Sequence, residues 1–177
     1  MTSPNHSPEH NHRRVGRFMG FIAWGMGLFL LYLFFQDQIQ QQINPNQQPM
    51  SRQTGKMNEV VLKQNRAGHY VMSGFIDGTP VIFLLDTGAT DVAIPESVAR
   101  DLGLKPGYKY HVETANGTAT AYQTEIQSLK IGTIKLTRMP AAIVPNMSGS
   151  EVLLGMSVLK QLEFTQRGNE LILRQLR

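Results

Sequence analysis

A chain of 177 residues, 41% of them apolar, can hold one domain of ordinary size with an apolar core plus some extra segments, and a second full domain is not expected in it. The formal charge of +4 would point toward nucleic acid, but residues 1–56 carry five Lys or Arg against two acids while residues 57–177 carry twelve against eleven. A globular part near neutrality, without a basic run, lacks the electrostatic footprint of phosphate binding, and zero cysteines exclude disulfides, thiolate zinc sites and cysteine nucleophiles.

Residues 1–17 are polar and rich in Pro, His, Asn and Ser, a composition that buries too little surface to order itself, and they read as a flexible tail. His6, His10 and His12 lie in that tail without the fixed geometry a metal site needs, so no metal is assigned to them. From Phe18 to Phe35 runs FMGFIAWGMGLFLLYLFF, eighteen residues without a charge. As a helix this would span about 27 Å, close to the hydrocarbon thickness of a bilayer. A cleaved signal peptide would need a shorter apolar stretch and a small-residue site, whereas QDQIQQQ follows here, so residues 18–35 read as a retained transmembrane anchor. Arg13, Arg14 and Arg17 precede it and Asp37 follows, which by the positive-inside rule predicts a cytoplasmic N-terminus. The remainder is then expected on the periplasmic or other extracytoplasmic side of the inner (cell) membrane. Ala23 and Gly27 offer a small-xxx-small face for packing two such helices.

Residues 36–56 are Gln-, Asn- and Pro-rich with hardly any apolar periodicity and read as a flexible linker, leaving residues 57–177 as the folded domain. There the texture changes to short apolar runs between turn signals, which predicts an all-β domain. Val60 to Gln64, His69 to Ile76 and Pro80 to Leu85 are expected strands, the last two joined by a tight turn at Asp77-Gly78. Leu129 to Leu136, Ala141 to Val144 and Leu171 to Leu173 continue the pattern. Two short helices are expected at Pro95 to Leu102 and Met156 to Leu162.

The chemistry concentrates in Phe83-Leu84-Leu85-Asp86-Thr87-Gly88-Ala89-Thr90, where a wholly apolar strand ends on an acid followed by a tight turn. A carboxylate emerging from a core strand is costly unless hydrogen-bonded or paired. A plain reading is an Asp that merely accepts the backbone N–H groups of its own turn. Val152-Leu153-Leu154-Gly155, however, supplies a second apolar run ending in Gly just before the helical stretch from Met156. Between the two lies His111 to Tyr122, a hairpin with Asn116-Gly117 at its turn and alternating flanks.

This order of motifs resembles the aspartic proteases, and more narrowly the single-domain retropepsins with their bacterial membrane-anchored relatives, over residues 58–176. The resemblance implies a barrel-like β domain with one or two short helices, preceded here by the transmembrane helix, with Asp86 as the catalytic residue. It implies that Thr87 hydrogen-bonds the facing loop across a two-fold axis, that Gly88 lets substrate backbone approach, and that Ala89 keeps the floor small. Leu154 and Gly155 would brace the loop, with Val81, Phe83 and Leu85 behind it in the core. Ala115, Asn116, Gly117 and Thr118 would form the tip of a flap that admits a peptide and then excludes water.

Aspartic protease chemistry takes two carboxylates that share one proton: one removes a proton from a bound water while the other protonates the scissile carbonyl oxygen. Neither cofactor nor metal is needed. The sequence holds one D-[TS]-G, with Asp77 in a turn, Asp37 in the linker and Asp101 in a helix, so the second Asp86 is expected from another copy and the chain is expected to be a homodimer acting on a peptide or protein. One departure stands out: where retroviral relatives carry an acid after D-T-G-A and an Arg after the later Gly, this chain has Thr90 and Met156. Both members of that ion pair are absent together, so no charge is stranded, yet the pair cannot brace the dimer. Asp91 is either an acid of the cleft or a solvated turn residue. The reading that follows is a membrane-anchored aspartic endopeptidase. The alternative, a non-catalytic peptide-binding or scaffolding module of the same fold, would not need the intact Asp86-Thr87-Gly88. A structural membrane protein with a β domain would leave Asp86 unexplained.

Overall fold

The computed structural model describes residues 9–114 and 117–176. Two compact units divide between Gln40 and Gln41.

The first unit is helical. Helix α1 (Glu9–Ile43) takes in the second half of the segment read as a flexible tail and the first third of the one read as a linker, because Gln is a good helix former and nothing before Asn44 breaks the pattern. Within it, Val15–Ile43 is long and apolar enough to cross a membrane. Apolar side chains such as Phe21, Trp24, Phe29 and Phe34 are exposed all round the helix, unlike those of an amphipathic core helix.

The second unit is all-β with two short helices. A four-stranded antiparallel sheet has the order β1 (Met50–Thr54), β2 (Met57–Lys63), β11 (Glu170–Leu176), β10 (Glu163–Arg167). A seven-stranded mixed sheet has the order β3 (Val71–Ile76), β4 (Thr79–Leu85), β9 (Glu151–Leu154), β5 (Val92–Pro95), β8 (Ile134–Val144), β7 (Gly117–Ile131), β6 (Lys109–Thr114), and it folds back on itself where β3 also pairs with β7. Helix α2 (Glu96–Asp101) follows β5, and α3 (Met156–Leu159) follows β9. One face of the larger sheet packs with the smaller one on a common core in which Leu62, Met72, Phe83, Ile94, Ile126 and Leu154 are fully buried or nearly so.

The Asp77-Gly78 turn is as expected, with both residues at positive φ (49° and 85°) as a type I′ turn requires. Asp77 also has work of its own: its Oδ1 accepts the N–H of Ser128 at 2.6 Å, stapling the β3–β4 hairpin to β7. The stretch Leu129 to Leu136, expected as one strand, is the tip of a second hairpin. Ile131 pairs with Ile134 around Gly132, whose φ of +54° turns the chain where apolar content alone read as continuous.

The linker requires the largest correction. Its second part is ordered: Asn44 and Asn46 are buried, and β1 pairs with β2 along its whole length from Met50↔Val61 to Thr54↔Met57. Asn46 does the work of a short strand. Its Nδ2 donates to the carbonyls of Lys63 (2.9 Å) and Val71 (2.7 Å), its Oδ1 accepts from Lys63 N–H (2.7 Å), and its carbonyl accepts from Ser73 N–H (3.0 Å). Asn44 Oδ1 accepts the N–H of Asn46 while its Nδ2 donates to Ser73 Oγ at 3.0 Å. No apolar periodicity announces a segment that is held by amide and main-chain hydrogen bonds, and β1 is exposed at every position.

These bonds give a direct test. Asn46→Ala leaves the Lys63 N–H and two carbonyls without partners, and is expected to destabilise the second unit by about 3 kcal/mol, seen as a lower urea midpoint at unchanged slope. An unchanged midpoint would show that the clasp carries no stability.

Candidate active site

Strand β4 delivers Asp86 to the surface. Alternation sends Phe83 and Leu85 into the common core and leaves Ile82 and Leu84 on the opposite face, where Ile82 is 38% exposed. Asp86 follows directly, half-buried, with Thr87 and Gly88 exposed after it. Its N–H donates to Leu154 O at 3.1 Å, continuing the parallel β4–β9 ladder that pairs Leu85 with Leu154. Its carbonyl accepts the N–H of Ala89 at 3.2 Å, and Oδ1 accepts the N–H of Gly88 at 2.9 Å. The tight turn thus holds the carboxylate by one oxygen. A Cβ at Gly88 would stand 3.2 Å from that oxygen, so glycine keeps the space over the carboxylate clear.

The loop is gripped from behind by β9 and α3. The N–H of Met156 donates to Ala89 O at 2.9 Å and that of Ser157 to Thr90 O at 2.8 Å. Two donors that a helix N-terminus must satisfy outside itself therefore end on the loop after Asp86. Gly155 makes this approach possible through its size: its φ of −86° is ordinary, but a Cβ there would lie 2.6 Å from Ala89 O and closer still to Asp91 O. The departure at Thr90 and Met156 is bridged in the same place by main chain, while the Met156 side chain packs against the common core.

The face of the larger sheet that carries Leu84 also carries Leu153, which pairs with it, and Ala93, which pairs with Leu153. A second, smaller cluster continues from there: Ala121, Ala142 and Val144 are buried, with Ala93, Tyr110, Val112 and Met147 packed on them. Three of these are alanines, so the cluster carries little side-chain bulk. Tyr110 ionises above the usual tyrosine range, first because burial withholds water from the phenolate and second because the charge of Asp91 opposes it. Asp91 is thus electrostatically coupled to a side chain of the hairpin.

Of the residues singled out from the sequence, Asp86, Thr87, Gly88, Ala89, Leu154 and Gly155 come together as one loop and its brace. The hairpin expected as a flap pairs from Lys109↔Tyr122 to Thr114↔Gly117. Gly117 and Thr118 are exposed at its end, and Ala115 and Asn116 lie outside the described residues. Sequence reasoning passed over Thr90 and Ser157 as contributors. The signal available was the bare helix start at Met156, whose first N–H groups had to find acceptors. Among the described residues, no group of three or more His, Cys, Asp or Glu could hold a metal ion.

Residues 72–161, half of the chain, match the family model described as gag-polyprotein putative aspartyl protease. The chain belongs to this aspartyl protease family. The fold agrees: the crystal structure of a retropepsin-like aspartic protease from Rickettsia conorii superposes with a TM-score of 0.57 at 27% identity, covering 72% of this chain and 96% of that one. Two curated relatives are an uncharacterized protein from the cobV 5′ region of a Sinorhizobium species, 37% identical over 120 residues, and an uncharacterized protein of Rickettsia prowazekii, 28% identical over 118. These alignments cover 66% and 65% of this chain, and the chain spans about half the length of both relatives. For an aspartyl protease fold, the geometry around Asp86 gives two tests. Gly155→Ala must push the Ala89 and Asp91 carbonyls aside, and is expected to cost about 2–4 kcal/mol in chemical denaturation. A cost below 0.5 kcal/mol, about the level of a neutral surface change, would show that the loop is not gripped there. The stability tied to the Tyr110 proton is present below the ordinary value of 10.0 and lost as pH rises through the raised folded value. Tyrosinate absorbance should therefore lose a late-titrating component in Tyr110→Phe, and Asp91→Asn should move that component toward lower pH. An Asp91→Asn titration that matches the parent's would disprove the coupling.

Proposed function

We propose that this chain is a membrane-anchored aspartic endopeptidase in which Asp86 of one copy and Asp86 of a second form the catalytic pair. The observation that carries the reading is the held carboxylate: Asp86 stands at the end of a core strand, fixed by Gly88 N–H through one oxygen, in a loop locked by β9 and α3. The family and the fold support a peptidase in general. The single D-T-G of the chain supports the need for a second copy.

On this reading the two carboxylates share one proton across the two-fold axis. The ionised one takes a proton from a water held between them as that water attacks the scissile carbonyl, and the protonated one gives its proton to the carbonyl oxygen. Thr87 ties each loop to its mate, Gly88 and Ala89 leave room for the substrate backbone, and Ala115 to Thr118 close over it. Residues 18–35 are the anchor, with residues 1–17 in the cytoplasm and the protease domain on the periplasmic or extracytoplasmic side of the inner membrane. The arginines before the span and the acid after it support that orientation.

The test is cleavage of a diverse peptide library by the full chain in detergent, from pH 4 to 8, beside Asp86→Asn. The parent should cleave with a bell-shaped pH profile, and the variant should be slower by at least about a thousandfold. Adding excess Asp86→Asn to the parent should lower activity further than dilution does, because mixed dimers carry one carboxylate. Equal rates for parent and variant would refute the catalytic role, and a mixture no slower than the diluted parent would refute the shared site. A folded protein that binds peptides without cutting them would favour the peptide-binding module.

A further inference from the structure

The clasp at Asn44–Asn46 changes how far the domain can stray from its anchor. If residues 36–56 were a free linker, its 21 residues could extend to about 70 Å. With Asn44 and Asn46 buried against β2 and β3, only residues 36–43 lie between the end of the apolar run at Phe35 and the folded domain. Eight residues span about 12 Å as the helix they form and at most about 28 Å if pulled out straight. Further bonds fix the same point: Arg66 N–H donates to Gln42 O at 3.5 Å, and Asn65 Nδ2 donates to Ile43 O at 3.1 Å.

The clasp also lies beside the strand pair that presents Asp86. Asn46 bridges to Met72 and bonds Val71 O, Val71 pairs with Leu84, and Leu85 N–H donates to Tyr70 O. Two strand spacings, about 10 Å, therefore separate Asn46 from Leu84, and Asp86 comes two residues later.

We infer that the substrates are polypeptide segments of other membrane-inserted proteins, cut within a few residues of where they leave the bilayer. This rests on the proposed function, both the peptidase and the anchor, and adds a distance limit to it. A short clasped tether limits how far the Asp86 loop can stand from the end of the anchor, whatever the arrangement of the two. A cleavage site close to a second protein's span stays within that limit, whereas one on a long flexible stalk spends most of its time outside it.

The experiment places the full chain in phosphatidylcholine vesicles with single-span test proteins. Each test protein carries one sequence taken from the peptide library, set either about five or about thirty flexible residues from its span. The near site should be cut about tenfold faster than the far one, following the fall of effective concentration with linker length. A second form of the enzyme carries a Gly/Ser insert of about twenty residues between Gln36 and Asp37, which lengthens the tether and leaves Gln41–Asn46 in place. At a surface density high enough to saturate pairing of both forms, it should cut the free peptide as fast as the parent does, and the near-to-far ratio should fall to within about threefold. Equal rates at near and far sites for the parent would overturn the inference, as would a preference that the insert leaves unchanged. Preserved cleavage of the free peptide in those cases would leave the protease reading standing. Failure to cut every substrate, free peptide included, would instead refute the protease reading and this inference with it.

Discussion

The contact between the first N–H groups of α3 and the carbonyls of Ala89 and Thr90 is the constraint on which the site depends. A loop leaving a buried strand exposes main-chain groups that must be satisfied, and a helix starting from a buried strand has donors with the same need. The structure lets each satisfy the other across Gly155. That mutual satisfaction requires β9 to run parallel to β4, so that Leu154 ends beside Leu85, and it requires a residue without Cβ where the two loops cross. Asp86 takes its direction from this arrangement. Its side chain adds a single bond to Gly88, and the main chain does the rest.

The same contact accounts for the departure from the retroviral pattern. A charged pair at positions 90 and 156 would join the loop to the helix through side chains, with a desolvation cost on each partner. Here the N–H of Met156 already reaches Ala89 and the N–H of Ser157 reaches Thr90, so the joint within one copy survives the loss of the charges. The Met156 side chain is then free to pack on the core.

Much of this was legible in the sequence. Strands β3 and β4 and the turn between them follow from alternation and from the Asp-Gly pair, whereas the brace of the Asp86 loop at Leu154-Gly155 came from the family resemblance that two apolar runs stopping on special residues carry. What was not legible was held by polar atoms. Asn44 and Asn46 look like linker residues because asparagine is common in linkers, and composition cannot tell an amide in water from one that completes three backbone bonds. The hairpin at Gly132 was hidden for a related reason: Leu129, Ile131, Ile134 and Leu136 are all buried, so apolar content runs unbroken through a turn that a single glycine makes. Periodicity reports which faces are buried. It does not report a reversal in which both arms bury the same face.

On the proposed reading, the anchor and the shared site belong to one physical problem. An aspartic protease that forms its catalytic pair from two copies works only as often as the copies meet, and this chain lacks the charged pair that braces its retroviral counterparts. On the proposed reading, confinement to a membrane supplies what the interface lacks. Two anchored copies share one orientation and move in one plane, which raises their effective concentration without a new contact. A long free linker would dilute that gain, because each domain would sample a deep shell above the bilayer. The clasp prevents this by ending the tether at Asn44, only nine residues past Phe35. On that reading the short tether favours assembly of the pair by the same restriction of distance that limits which substrates the pair can reach.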